Sequence, residues 1–94
     1  MIEVLILRDK SMDITGFKVS GHALFAEAGN DIICSAVSML TINTVNAIEQ
    51  LLPDEPMAVK VDRENGFIEA RLTDKPTDRS EILLRTFHLG MVSI

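Results

Sequence analysis

The chain has 94 residues, 47% hydrophobic and 24% charged, with 5 Gly, 3 Pro and a single Cys. That is enough apolar material for one core and too little length for two, so a single domain over residues 1–94 is expected and a disordered chain is excluded. Lys and Arg number 9 against 14 acidic side chains, a net charge of −5, which offers no cationic footprint for a phosphate backbone; direct nucleic-acid binding is not expected.

One Cys cannot close an internal disulfide, and with only His22 and His88 beside it the chain lacks the ligand set of a structural zinc site. No metal and no cofactor are expected, and the thiol fits a reducing compartment. No apolar run approaches the roughly 20 residues needed to cross a bilayer, so no membrane partner is expected and the cytoplasm is the expected location. Trp and Tyr are absent and aromatics make up 4%, which leaves no stacking platform for bases or sugars.

In chain order, Ile2 to Arg8 is rich in β-branched residues and Leu and predicts a strand with at least one buried side. Asp9, Lys10 and Ser11 break it. Ile14 to Ser20 alternates around Phe17 and Val19 and predicts a second strand, joined to the first as an antiparallel hairpin. Gly21 to Gly29 has no period and is expected to be a loop. Asn30 and Asp31 are good N-cap types, and Ile33, Val37, Leu40, Ala47, Ile48 and Leu51 then fall on one stripe, predicting a helix of about 20 residues from near Asp31 to before Pro53. Its remaining positions, among them Ser35, Ser38, Thr41 and Asn43, are weakly polar rather than charged, as suits a face that a second protomer covers. Met57, Val59 and Val61 alternate with Ala58, Lys60 and Asp62 as a third strand, and Asn65-Gly66 signals a turn into a fourth from Phe67 to Leu72. Asp78 with Glu81 reads as a capping box, and Leu83, Phe87 and Met91 repeat every four residues, predicting a last helix from about Ser80. The order ββαββα predicts an α+β fold: a two-layer sandwich, its mainly antiparallel sheet carrying both helices on one face. Met39, Met57 and Met91 read as core fillers. Lys60, Lys75, Arg79 and Arg85 read as solvated, and His88 as a packing residue.

The chemistry concentrates between Ser20 and Ser38. His22 is a potential base at the end of a strand, and Cys34 is the only thiol, in the first turn of a helix. Unpaired N–H groups and the partial positive charge at a helix N-terminus favour the thiolate, and an adjacent imidazolium adds to that effect. His22 can serve as base toward the thiol and then as acid toward a leaving amine, while the same N–H groups hold an oxyanion. Gly21 and Gly29 bracket a segment with room to move over an extended peptide. Asp31 either caps the helix or orients His22, and Ser38, one turn beyond Cys34, either reaches the thiol or substrate or sits at a surface or interface. Against this stands a bland alternative, in which Cys34 is an inert core thiol among Ile32, Ile33 and Val37 of a non-enzymatic interaction or assembly module. A redox sensor is disfavoured because no resolving Cys exists.

The string Gly21-His22-Ala23, then Gly29, then Asp31-Ile32-Ile33-Cys34 and Ala36-Val37-Ser38, with His22 and Cys34 twelve positions apart, resembles the small bacterial ribosomal-processing cysteine proteases of the Prp family. The resemblance extends over nearly the whole chain, and its specificity lies in this block. It implies an endopeptidase with Cys34 as nucleophile and His22 as general base. It also implies that the segment holding Gly21, Ala23 and Gly29 contacts the substrate, and that the substrate is the N-terminal extension of the large-subunit ribosomal protein L twenty-seven. Members of the family are cytoplasmic homodimers. The chain departs from the usual pattern at Leu24-Phe25, where Gly and Tyr are commoner, and it stops at Ile94 where relatives tend to continue; neither departure touches the dyad.

Overall fold

Alternation of apolar and polar side chains decides the strands, and a run of small and aliphatic residues without Gly or Pro decides the long helix. The computed structural model describes residues 2–21 and 32–94. In chain order it has β1 (Glu3–Arg8), β2 (Ile14–Ser20), α1 (Ile32–Leu51), β3 (Met57–Asp62), β4 (Phe67–Leu72) and α2 (Asp78–Ser93). The strands form one antiparallel sheet in the order β1-β2-β4-β3. The ββαββα order and the two-layer α+β sandwich are therefore as expected.

Register explains the inner layer. Phe17 lies opposite Ile6 and Ala70, and Val19 opposite Val4 and Ile68, so these side chains share one face of the pleat. Phe17, Val19 and Ala70 have no exposed surface. Phe87 of α2 stacks on Phe17 with ring centroids 4.1 Å apart, locking helix to sheet at the centre. Each such fully buried side chain contributes about 1.5–3 kcal/mol relative to exposure. On the other face Lys18 and Lys60 flank Glu69 across the strands, and Glu69 pairs with Arg71 at 2.6 Å. This is a solvated face whose ion pairs add little stability. Gly16 is required where β2 meets β4: a β-carbon there would collide with the Ala70 carbonyl oxygen and lie 2.8 Å from Arg71 Cα.

The helices correct three details of the sequence reading. Buried on α1 are Cys34, Val37, Thr41, Thr44, Val45 and Ile48, whereas Ile33 and Leu51 are exposed. The threonines enter the core because each hydroxyl is satisfied locally: Thr41 Oγ1 donates to the Val37 carbonyl at 2.7 Å and Thr44 Oγ1 to that of Leu40 at 2.6 Å. Met39 is 65% exposed and not a core filler, being turned away from that stripe, while Met57 and Met91 do pack against the core. In length and mean hydropathy (1.4 over its best window) α1 is also apolar enough to cross a membrane, contrary to expectation. Its Ser, Thr and Asn positions had obscured this, and its buried stripe belongs to the core shared with the sheet and α2, which makes it a core helix.

α2 starts at Asp78, two residues before the expected Ser80, because its cap is Thr77 and not Asp78. Thr77 accepts from the Ser80 amide and Ser80 Oγ accepts from the Thr77 amide, a reciprocal box. Glu81 is thereby freed to accept the Ile14 amide at 3.0 Å, tying the helix to the start of β2. Behind the cap, the buried Glu55 takes a 2.7 Å hydrogen bond from Thr77 Oγ1. Arg79 is exposed but not simply solvated, since it bridges Asp54 at 2.9 Å and Glu55 at 3.3 Å.

Candidate active site

Two elements deliver the chemical block, β2 from one side and α1 from the other. β2 runs to Ser20, and the chain leaves it at Gly21, whose φ of 115° is reached without strain only by glycine. The Gly21 amide donates to the Gly66 carbonyl at 3.0 Å, fastening this exit to the β3–β4 turn. That turn is itself fixed: the Asp62 carboxylate accepts from the Asn65 amide at 3.2 Å and from Asn65 Nδ2 at 2.7 Å, and Gly66 takes a φ of 60°. The Asn65 hydrogen bonds hold the Asp62 carboxyl below its usual range.

On the other side α1 opens at Ile32 and places Cys34 in its first turn, as expected. The thiol is buried, 9% exposed, and belongs to the core cluster with Val37. The same apolar cluster that completes the core covers it. Ser38 is half-buried one turn further along. His22, Ala23, Gly29 and Asp31 lie outside the described residues. Of the block singled out in the sequence, the structure therefore positions Gly21, Cys34 and Ser38.

Sequence reasoning missed a groove beside this turn. Ile33 and Val37 of α1, Ile2 just before β1, Val4 and Ile6 of β1, and Met91 of α2 line an apolar trough of about 400 Å³. The signal was present in the sequence, since Ile2, Val4 and Ile6 occupy alternate positions of an edge strand whose inner face the helices only partly cover. An apolar trough at the first turn of a thiol-bearing helix can seat the side chains of an extended polypeptide.

Comparison with known proteins decides between an enzyme and a non-enzymatic module. The family model for the cysteine protease Prp matches residues 1–94. The chain belongs to the Prp cysteine protease family. It is 30% identical over 94 residues to the ribosomal processing cysteine protease Prp of Staphylococcus aureus, covering 100% of this chain and 88% of that relative. The crystal structure of the Staphylococcus aureus essential ribosomal processing protease Prp with a covalently linked product peptide superposes with a TM-score of 0.84 at 29% identity, covering 99% of this chain and 87% of that one. The complex of the Staphylococcus aureus enzyme with a substrate peptide gives a TM-score of 0.83 at 28% identity, with 99% and 87% covered. This Prp-family chain is a cysteine protease, and the reading as a non-enzymatic module is set aside. Cys34 is its one cysteine.

Proposed function

We propose that the protein removes the N-terminal extension of the large-subunit ribosomal protein L twenty-seven, with Cys34 as nucleophile and His22 as general base. The observation that carries this is the lone cysteine in the first turn of α1, where backbone N–H groups face outward along the helix axis. His22 takes the thiol proton, and the thiolate attacks the scissile carbonyl carbon. Backbone N–H groups of the first turn stabilise the resulting oxyanion. As the intermediate collapses the C–N bond breaks, the amine leaves with the proton from His22, and the acyl group stays on Cys34 as a thioester. Water, deprotonated by His22, then releases the acid and restores the thiol.

Gly21, Ala23 and Gly29 are assigned to substrate contact, Asp31 to capping α1 or orienting His22, and Ser38 to supporting the thiol from the next turn. Apolar side chains of the extension lie in the trough between β1 and α1. A ribosomal substrate places the work in the cytoplasm, without direct contact to nucleic acid. The protein acts as a homodimer: α1 leaves Met39 and Ile42 exposed, and β3 turns Val59 and Val61 toward the helix-bearing face without covering them.

The test is mass spectrometry of L twenty-seven bearing its extension, after incubation with wild type and Cys34→Ala. Wild type cuts once, at the junction of extension and mature protein, and Cys34→Ala leaves the substrate intact with unchanged circular dichroism. Cleavage by Cys34→Ala at the wild-type rate refutes the nucleophile; absence of cleavage by wild type refutes the substrate.

A further inference from the structure

The described residues include five arginines, which differ in their partners. Arg71 is held by Glu69, Arg79 by Asp54 and Glu55, and Arg63 has interactions of its own. Among the described residues Arg8 and Arg85 have no carboxylate within ion-pair distance, and both line one groove of about 700 Å³ between the β1–β2 hairpin and the outward flank of α2. Arg8 donates one N–H to the Met12 carbonyl at 2.9 Å, which leaves most of its guanidinium donors available. Two guanidinium groups in one groove, neither ion-paired among the described residues, contrast with the chain's net charge of −5. Glu81 also lines the groove and keeps its negative charge, its Oε2 accepting the Ile14 amide, so the groove carries two guanidinium groups against one carboxylate.

Between the arginines the wall is aliphatic. Met12, Ile82, Leu89 and Val92 all line this groove and are 65, 62, 68 and 72% exposed, among the most exposed large apolar side chains of the described residues. Met12 is held in place, its backbone in the left-handed region at φ 69° within a turn in which the Asp9 carboxylate accepts the amides of Ser11 and Asp13. A phosphate backbone would satisfy the arginines but leave these aliphatics facing sugars, and the groove holds no Phe, Tyr or Trp as a broad stacking platform for bases. An acidic, aliphatic peptide satisfies both.

We infer that this groove docks an extended segment of a partner polypeptide, with aliphatic side chains on Met12, Ile82, Leu89 and Val92 and an acidic side chain held by Arg8 and Arg85. The docking is separate from peptide-bond cleavage, although the groove shares His88 and Val92 with the apolar trough beside Cys34.

The experiment measures binding alone, so it stands or fails apart from the protease assignment. The probe is a short fluorescein-labelled peptide that alternates leucine with serine and carries paired aspartates at one end, beside a counterpart with lysines in their place. Fluorescence anisotropy should show wild type preferring the aspartate peptide. Arg85→Glu, an exposed position outside every hydrogen bond that builds the fold, should weaken it by about tenfold and favour the lysine peptide. Circular dichroism confirms that the variant is folded. Failure of wild type to bind either peptide, equal binding of both, or indifference to Arg85→Glu overturns the inference. So does displacement of the peptide by a single-stranded RNA oligonucleotide that itself loses affinity with Arg85→Glu, or self-association of wild type that Arg85→Glu dissolves; these would give the groove to nucleic acid or to a second copy.

Discussion

Gly21 immediately precedes His22, the proposed general base. Its φ of 115° and its hydrogen bond to Gly66 fix the backbone at the end of β2. Any β-carbon at that φ strains the backbone by about 1–3 kcal/mol, which the chain relieves by rotating and so turning residue 22 aside. Gly21→Ala is expected to lower the melting temperature modestly and kcat by roughly tenfold or more, because small misplacements of a general base are costly. Thermal denaturation followed by circular dichroism, together with peptide-cleavage kinetics, separates the two effects. A lower melting temperature with kcat unchanged limits Gly21 to folding. The sequence showed that a glycine precedes His22, but not that its φ is positive or that Gly66 is its partner, because the contact joins segments 45 positions apart.

At the scale of elements, the junction between the end of α1 and the start of α2 rests on one buried carboxylate. The Thr77 hydrogen bond, assisted by Ser80 and the Arg79 guanidinium, holds the Glu55 carboxyl below its usual 4.5, outweighing the desolvation that raises it. A carboxylate depressed in the folded state adds stability that is fully present above its unfolded value and is lost as pH falls through the folded value. The melting temperature of wild type is therefore expected to fall as pH drops below about 4.5. Asp54, lowered chiefly by its hydrogen bond to Arg79, adds a weaker, solvent-screened contribution of the same sign. Glu55→Gln should start lower at neutral pH and lose less on acidification; parallel melting curves against pH for the two proteins would remove Glu55 from this role. The strands and both hairpins were legible from period-two alternation and the Asn65-Gly66 turn, since those signals are local. The cap was misplaced by one residue because Asp78 and Glu81 fit the capping pattern as well as Thr77 and Ser80, and only the tertiary demands of Glu55 and Ile14 distinguish them. The buried stripe of α1 was misread for a related reason, since Thr41 and Thr44 look polar until each hydroxyl is seen bonded to the preceding turn.

For the whole molecule, the two helices cover the sheet unevenly. Phe17, Val19 and Ala70 are sealed, yet Val59 and Val61, which share their face by register, remain 38 and 49% exposed at the β3 edge. Ile42 and Met39 add 50 and 65% exposure on α1. Aliphatic side chains on the inner face of a sheet are placed there by the pleat and gain their burial only when something lies over them, and a second copy contributing the same uncovered residues is the simplest cover. The weakly polar character of α1 anticipated such a face, but its extension onto β3 depends on a strand order that no local pattern encodes. If this face is the dimer seam, Val61→Asp buries an unpaired charge at it and is expected to weaken self-association by roughly tenfold or more. Sedimentation velocity should then show wild type as a dimer and Val61→Asp as a monomer with an unchanged circular dichroism spectrum. Val92→Asp, in the arginine-flanked groove, should leave the dimer intact. A wild type that sediments as a monomer removes the seam, and a dimer broken by Val92→Asp but not by Val61→Asp moves it to the flank of α2.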